Sequence, residues 1–325
     1  MIMNILINLV GEQAAPVLIP TYELSPDRVI LVASNTTNEI AKRLKELFIF
    51  KKGIEYVDIV IIDPYNPITI VNELRDVTGI DHNQKLVGNF TSGTKLMAIA
   101  LQKYLMDAPG DKHQLVYLHT KGSKGDLHFL DPQTLEPSGT PIPVQKSVSL
   151  EDYIWAYWGR NTPKGKPKPA KNDGEFFENA IFAALSPCVE DIWSNIRPEK
   201  NSPLEIDFII RCGNIVGVIE TKYSKQKVQS DTSNDKKRRK SPKRGIDQLN
   251  TAAKNLGAHV RKFLIINEPW TGRSKNLIDF AEDMGITVIG LPSYSKTNKT
   301  ISEEDRKKLV STIREELRCQ GDVEC

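Results

Sequence analysis

The sequence predicts an α/β protein made of two domains in tandem, and three observations carry this. At 325 residues the chain is long enough for two cores of roughly 150 residues each. Short β-branched runs alternate with helical patterns in both halves. Residues 160–174, RNTPKGKPKPAKNDG, interrupt that alternation with Pro, Gly and Lys and no apolar period. The first domain is therefore placed at residues 1–150, a linker region at 151–173 and the second domain at 174–325.

In chain order, the first half offers strands NILINLVG, DRVILVAS, YVDIVII and KLVGNF. Between them lie the helical patterns NEIAKRLKELF, NPITIVNELRDVTG and GTKLMAIALQKYLM. Such alternation implies βαβ units and a mainly parallel, doubly wound, Rossmann-like sheet. QLVYLHTKGSKGDLHFL reads as a hairpin added at the sheet edge. The run EDYIWAYWG brings two tryptophans to the junction of the domains. The second half opens on a helix, GEFFENAIFAALSP, followed by LEIDFIIRC and IVGVIETKY joined through a Gly-Asn turn. Helices IDQLNTAAKNLG, SKNLIDFAEDMG and SEEDRKKLVSTIREELR then alternate with strands VRKFLIIN and ITVIGL, which makes this sheet mixed.

Composition excludes some classes. No apolar run approaches the ~20 residues of a membrane helix, and MIMNILINLVG, without a basic flank or small-residue cleavage site, is expected to be a first strand and not a signal peptide. Cys188, Cys212, Cys319 and Cys325 lack metal-binding spacing and leave the first half empty. They predict neither a zinc site nor a disulfide framework, and suit a reducing cytoplasm. Residues 1–150 carry 14 basic and 16 acidic side chains and residues 151–325 carry 30 and 25, so a surface for polyanions is expected in the second half.

The chemistry concentrates around Asp207 and Glu220-Thr221-Lys222. In a strand, Glu220 and Lys222 share a face and Thr221 points the other way. If the Gly-Asn turn closes a hairpin, Asp207 and Glu220 converge at one end of an apolar sheet. A buried carboxylate pair beside a single lysine calls for a cation, and two carboxylates with backbone oxygens and waters suit Mg²⁺ or Mn²⁺. Glu178, among Phe176, Phe177, Ile181 and Phe182, supplies a third acid on the preceding helix, and Gln248 opens a following one. Between Lys222 and Gln248, Lys236, Lys237, Arg238, Arg239, Lys240, Lys243 and Arg244 form a dense positive block, read as a solvated loop able to grip a phosphate backbone.

This order of Glu, Asp, ExK and a Gln-Leu helix resembles the PD-(D/E)xK restriction-endonuclease-like superfamily. The resemblance implies that Asp207 and Glu220 hold a divalent ion, with Glu178 completing the site. It also implies that Lys222 orients or deprotonates the attacking water and that Gln248 is an accessory residue. Ile206 stands where the family name has Pro.

In the first half, Gly11-Glu12-Gln13 ends one strand, Ser34-Asn35-Thr36 follows a second, and Asn89 leads into Thr91-Ser92-Gly93-Thr94-Lys95-Leu96-Met97 at the start of a helix. All lie where open α/β sheets bind ligands, and a helix N-terminus attracts phosphate. Lys95 is followed by Leu96, so this is not a Walker A loop. The pattern resembles the CARF (CRISPR-associated Rossmann fold) domain, whose loop reads roughly T-G-G-T-K-x-M; Ser92 replaces its first Gly. That likeness implies a homodimer binding a cyclic oligoadenylate through these residues.

A CARF domain followed by a PD-(D/E)xK domain is similar to the CRISPR ancillary nucleases of type III systems, which are activated by cyclic tetra-adenylate. The expectation is a metal-dependent nuclease acting on DNA, RNA or both. Three other readings fit the same residues: a nucleotide-sensing regulator that holds nucleic acid without cutting it, an unregulated repair or restriction nuclease, and a first domain whose pocket itself hydrolyses its ligand.

Overall fold

The computed structural model of the chain describes residues 4–77, 79–80, 84–110, 112–121, 124–146, 148–198, 205–224, 235–257, 259–269, 275–295 and 297–319. The chain divides into two compact units, Met1–Asn161 and Thr162–Cys325.

In the first unit, β1 (Asn4–Val10), α1 (Ala15–Leu24), β2 (Arg28–Ala33), α2 (Asn38–Lys52), β3 (Tyr56–Ile61), α3 (Pro67–Arg75), β4 (Lys85–Asn89) and α4 (Lys95–Asp107) follow in turn. The strands β5 (Gln114–Lys121), β6 (Lys124–Leu130) and β7 (Ile142–Pro143) and the helix α5 (Leu150–Trp158) complete it. The seven strands form one sheet in the order β3-β2-β1-β4-β5-β6-β7, parallel from β3 through β5 and antiparallel beyond. The expected hairpin is β5–β6, with Leu118 opposite Leu127. Strand order reverses between β1 and β4, so the loops after these two strands flank the switch point where open sheets take ligands. Helix α1 was not expected from sequence. Its residues Val17 to Tyr22 are all buried, so it lacks the polar face that makes a helix readable, and it contains Pro20. Helix α5, which falls in the expected linker region, packs on α2 in this first unit. Its Trp155 is buried there beneath Arg160, whose guanidinium lies 5.7 Å from the ring centre.

In the second unit, α6 (Asp173–Leu185) precedes β8 (Asp191–Ile196), β9 (Ile206–Cys212) and β10 (Ile215–Lys222). Then come α7 (Asp235–Lys254), β11 (Arg261–Ile266), α8 (Lys275–Asp283), β12 (Ile286–Gly290) and α9 (Glu303–Glu316). The sheet order is β12-β11-β10-β9-β8, with β10–β12 parallel and β8–β10 antiparallel, the mixed sheet the sequence predicts. The Gly-Asn turn pairs Ile215 with Cys212, and Gly213 sits at φ +56°, where a residue without Cβ is unstrained. One face of the sheet buries Phe208, Ile210, Ile219, Phe263 and Ile265 against Phe177 and Ile181 of α6 and Leu309 and Ile313 of α9. Asn172 and Ser302 start these two helices by accepting from Glu175 N and Asp305 N.

Two expectations are corrected in this unit. The basic block was read as a loop, whereas residues 235–254 are helical, with Ile246, Leu249, Ala252 and Ala253 buried along one face. Lys and Arg are good helix formers, and that apolar stripe anchors the helix. The cysteines were read as giving no disulfide framework, yet Cys212, at the end of β9, is bonded to Cys319 just beyond α9, 107 residues on. Cys188 is disulfide-bonded as well. A pairing across that separation is set by the packing of α9 on the sheet and leaves no spacing signature.

Candidate functional site

Two groups of residues in the structure carry chemistry, one in each unit. In the first, the loops after β1 and β4 are tied together. Gly11 N donates to Ser92 Oγ at 3.0 Å, and a Cβ on Gly11 would meet that oxygen at 2.4 Å. Any Cβ at position 11 would have to displace that oxygen and break its bond, so the Ser92 that departs from the expected loop pattern is matched by the glycine facing it. Beneath them, Asn89 Nδ2 donates to Asn8 Oδ1 (2.7 Å) and Pro16 O (2.8 Å), while its Oδ1 accepts from Thr91 N and Thr91 Oγ1. Thr91 Oγ1 in turn accepts from Leu118 N. Thr94 starts α4 by accepting from Met97 N and donates to Pro64 O. Ser34 closes the loop after β2 on the hydroxyls of Thr36 and Thr37.

These contacts sort the residues named from sequence. Glu12, Asn35, Thr36, Gly93 and Lys95 are exposed at the carboxyl end of the sheet, and Gly11, Gln13, Thr91, Ser92 and Thr94 are half-buried among them. Asn89 and Met97, expected to face a ligand, are 0% and 2% exposed, and Ser34 is buried too. All three hold the loops from below. Sequence reasoning also missed Tyr157 of α5, whose hydroxyl accepts from Ala14 N at 3.0 Å and stands 3.5 Å from Glu12 O. Arg43 of α2 donates to the carbonyl of the same tyrosine.

In the second unit, Phe208 pairs with Ile219, and the antiparallel register carried one step further sets Asp207 across from Glu220. Glu220 is buried and its carboxylate accepts from Lys222 Nζ. Glu178 lies near enough to act electrostatically on both Asp207 and Glu220. Burial, then the charge of Asp207, pushes Glu178 up to about 7 and Glu220 up to about 8. Asp207 is raised by burial, a shift opposed by two hydrogen bonds from Thr221. Those bonds come from Thr221 N at 2.6 Å and Thr221 Oγ1 at 2.8 Å, a role for Thr221 that the strand parity read from sequence did not include.

Helix α7 covers the lysine. A Cβ on Gly245 would lie 3.4 Å from both Cγ and Cε of Lys222, and 2.8 Å from Leu264 Cδ1. One turn further along the same face, Gln248 has a buried Oε1 that finds no hydrogen-bond partner among the described residues. Lys243 and Arg244 are exposed on α7; the side chains of Lys236, Lys237, Arg238, Arg239 and Lys240 lie outside the described residues.

The donor set fits a hard divalent cation. A buried Glu220 and the half-buried Glu178 and Asp207 share one lysine, their oxygens suit Mg²⁺ or Mn²⁺, and a cation would offset the burial that, first of all, raises their proton affinities. Among the described residues no three His, Cys, Asp or Glu side chains form a ready-made metal cage, so the trio is an acidic cluster and not a closed ligand set.

Each of the two units, the doubly wound one and the mixed-sheet one with its carboxylate–lysine cluster, is matched by a family model. The Card1 CARF domain matches residues 5–153 and the nuclease-related domain matches residues 172–272. The chain thus carries an N-terminal CARF domain of the Card1 type and a C-terminal nuclease-related domain.

Solved structures share the fold across both units. Can2 from Sulfobacillus thermosulfidooxidans, in complex with cyclic tetra-adenylate, is similar with a TM-score of 0.63 at 13% identity, covering 97% of this chain and 99% of that one. The protein VC1899 from Vibrio cholerae gives 0.63 and 13%, with 97% and 98% covered. A type III CRISPR defence DNA nuclease activated by cyclic oligoadenylate gives 0.58 and 16%, over 94% of this chain and 51% of that one. No curated protein matches the chain.

Proposed function

We propose that this protein is a metal-dependent PD-(D/E)xK nuclease of type III CRISPR defence, switched on by a cyclic oligoadenylate, with cyclic tetra-adenylate the expected activator. The observation that carries it is the trio of a buried Glu220 and half-buried Glu178 and Asp207 around Lys222, at the end of a hairpin whose register aligns two of the acids. Asp207 and Glu220 would hold Mg²⁺ or Mn²⁺, with Glu178 completing its shell. The bound ion would supply a water of lowered pKa and screen the scissile phosphate. Lys222 orients that water and offsets charge on the phosphate, and Gln248, with its unpaired oxygen, positions the water or the phosphate. Lys243 and Arg244, with the rest of the basic run on α7, would grip DNA or RNA through its backbone.

The activator would bind across a homodimer at the exposed loop residues Glu12, Asn35, Thr36, Gly93 and Lys95. Tyr65 (74% exposed), Ile68 (73%) and Ile99 (58%), on and beside α3 and α4, are exposed apolar side chains that a second copy would cover. Two relatives support this reading by what their structures contain or are described as doing: Can2 with its bound cyclic tetra-adenylate, and the DNA nuclease activated by cyclic oligoadenylate.

The test incubates purified protein with labelled DNA and RNA, each with and without each cyclic oligoadenylate and with Mg²⁺ or Mn²⁺. Cutting that needs both nucleotide and metal is expected, and its loss in Lys222→Ala with retained nucleotide affinity. A gel shift without cleavage in every arm would instead make the protein a binding regulator, and full activity without nucleotide would make it an unregulated nuclease.

A further inference from the structure

We propose that Thr221, the residue between the paired Glu220 and Lys222, is the positioning residue that fixes which oxygen of Asp207 a divalent cation can use. This rests on the reading of Asp207 as a metal ligand. Thr221 N and Thr221 Oγ1 both donate to Oδ2, at 2.6 and 2.8 Å. Every hydrogen bond that the Asp207 side chain accepts from a described residue falls on this one atom. Two donors occupy its lone pairs, so Oδ1 is left to coordinate a cation through a single oxygen.

The pin is rigid. Thr221 is 7% exposed and sits in a strand, where its β-branched side chain has few rotamers. Lys222 does not compete for the aspartate, because its ammonium goes to Glu220. A carboxylate clamped by buried donors stays aligned before the cation arrives, which is how partners behind a metal ligand raise affinity.

The side-chain hydroxyl can be removed without moving the backbone. Thr221→Val keeps the shape, the strand preference and the backbone donor, and deletes one of the two bonds. Mn²⁺ binding is measured on the full chain without nucleic acid, by calorimetry and by the electron spin resonance signal of free Mn²⁺, for the wild type, Thr221→Val, Thr221→Ser, Thr221→Ala and Asp207→Asn. The expected result is a 10- to 100-fold loss of Mn²⁺ affinity in Thr221→Val, the range seen when a metal ligand loses its supporting partner. Thr221→Ser, which keeps the hydroxyl, should bind within about threefold of the wild type, on the same reasoning.

If Thr221→Val does not fold, the comparison of Thr221→Ala with Thr221→Ser carries the test. Wild-type Mn²⁺ affinity in the variants that lack the hydroxyl, with binding lost in Asp207→Asn, would overturn the positioning role and leave the metal site standing. Equal Mn²⁺ affinity in the wild type and Asp207→Asn would overturn both.

Discussion

Glu220→Gln should make the protein more stable while removing its chemistry, and the size of the gain should depend on pH. Glu220 is 4% exposed and faces Asp207 across the hairpin, and burial with that neighbour pushes it from 4.5 up to about 8. A carboxyl group whose folded pKa is raised binds protons more tightly in the native state than in the unfolded one. Its presence therefore costs nothing below about pH 4.5, costs progressively more as pH rises, and costs most above about 8. At 1.36 kcal/mol per pKa unit the ceiling is roughly 5 kcal/mol. The attraction of Lys222 is already contained in that shift, so the expected gain at pH 9 is about 3–5 kcal/mol. Near pH 6 the folded carboxyl is protonated but the unfolded one is already ionised, so the two proteins should differ by roughly 2 kcal/mol there and converge only below about pH 4.5. Urea unfolding in EDTA at both pH values reads these numbers directly. A gain that is the same at pH 6 and pH 9, or a variant less stable at pH 9, would refute the claim that burial, with the charge of Asp207 beside it, raises Glu220.

Three further outcomes follow from the same structure. Metal binding must displace protons from Glu178 (about 7) and Glu220 (about 8), so Mn²⁺ affinity should fall as pH drops from 8.5 to 6. The fall should approach about tenfold per pH unit for each proton displaced, and a flat calorimetric profile would contradict it. Gly245→Ala puts a methyl 2.8 Å from Leu264 and 3.4 Å from the Lys222 stem, so kcat should drop about tenfold while Mn²⁺ affinity holds; unchanged kinetics would free the lysine from its helix. Tyr157→Phe strips the buried Ala14 N–H of its acceptor and should cost about 1–3 kcal/mol in thermal unfolding, with no loss expected if the hydroxyl is idle.

What could be read from the sequence was what repeats along it. Strand and helix periods gave both sheets, and strand parity put Glu220 and Lys222 on one face before any coordinates. The Gly-Asn turn then fixed the register that brings Asp207 to them. Helix α1 escaped because it is apolar all round, and β8 because DIWSNI carries no clean alternation. The basic block reads as a loop by charge, yet a stripe of Ile246, Leu249 and Ala253 makes it one helix with the segment behind it. Tyr157 and Cys319 act on partners 143 and 107 residues away, and only the folded chain brings such pairs together.

Parity also explains why Thr221 was passed over. Alternation describes where side chains leave a strand, and it is silent about the backbone N–H, which lies in the plane of the sheet. Asp207 sits where β9 begins, so its carboxylate can reach the edge of β10 and take the N–H of Thr221 as its partner. The hydroxyl of the same residue then adds a second donor to an oxygen already placed. A threonine that reads as a spacer between two active groups thus contributes through the atoms that a face-by-face reading ignores.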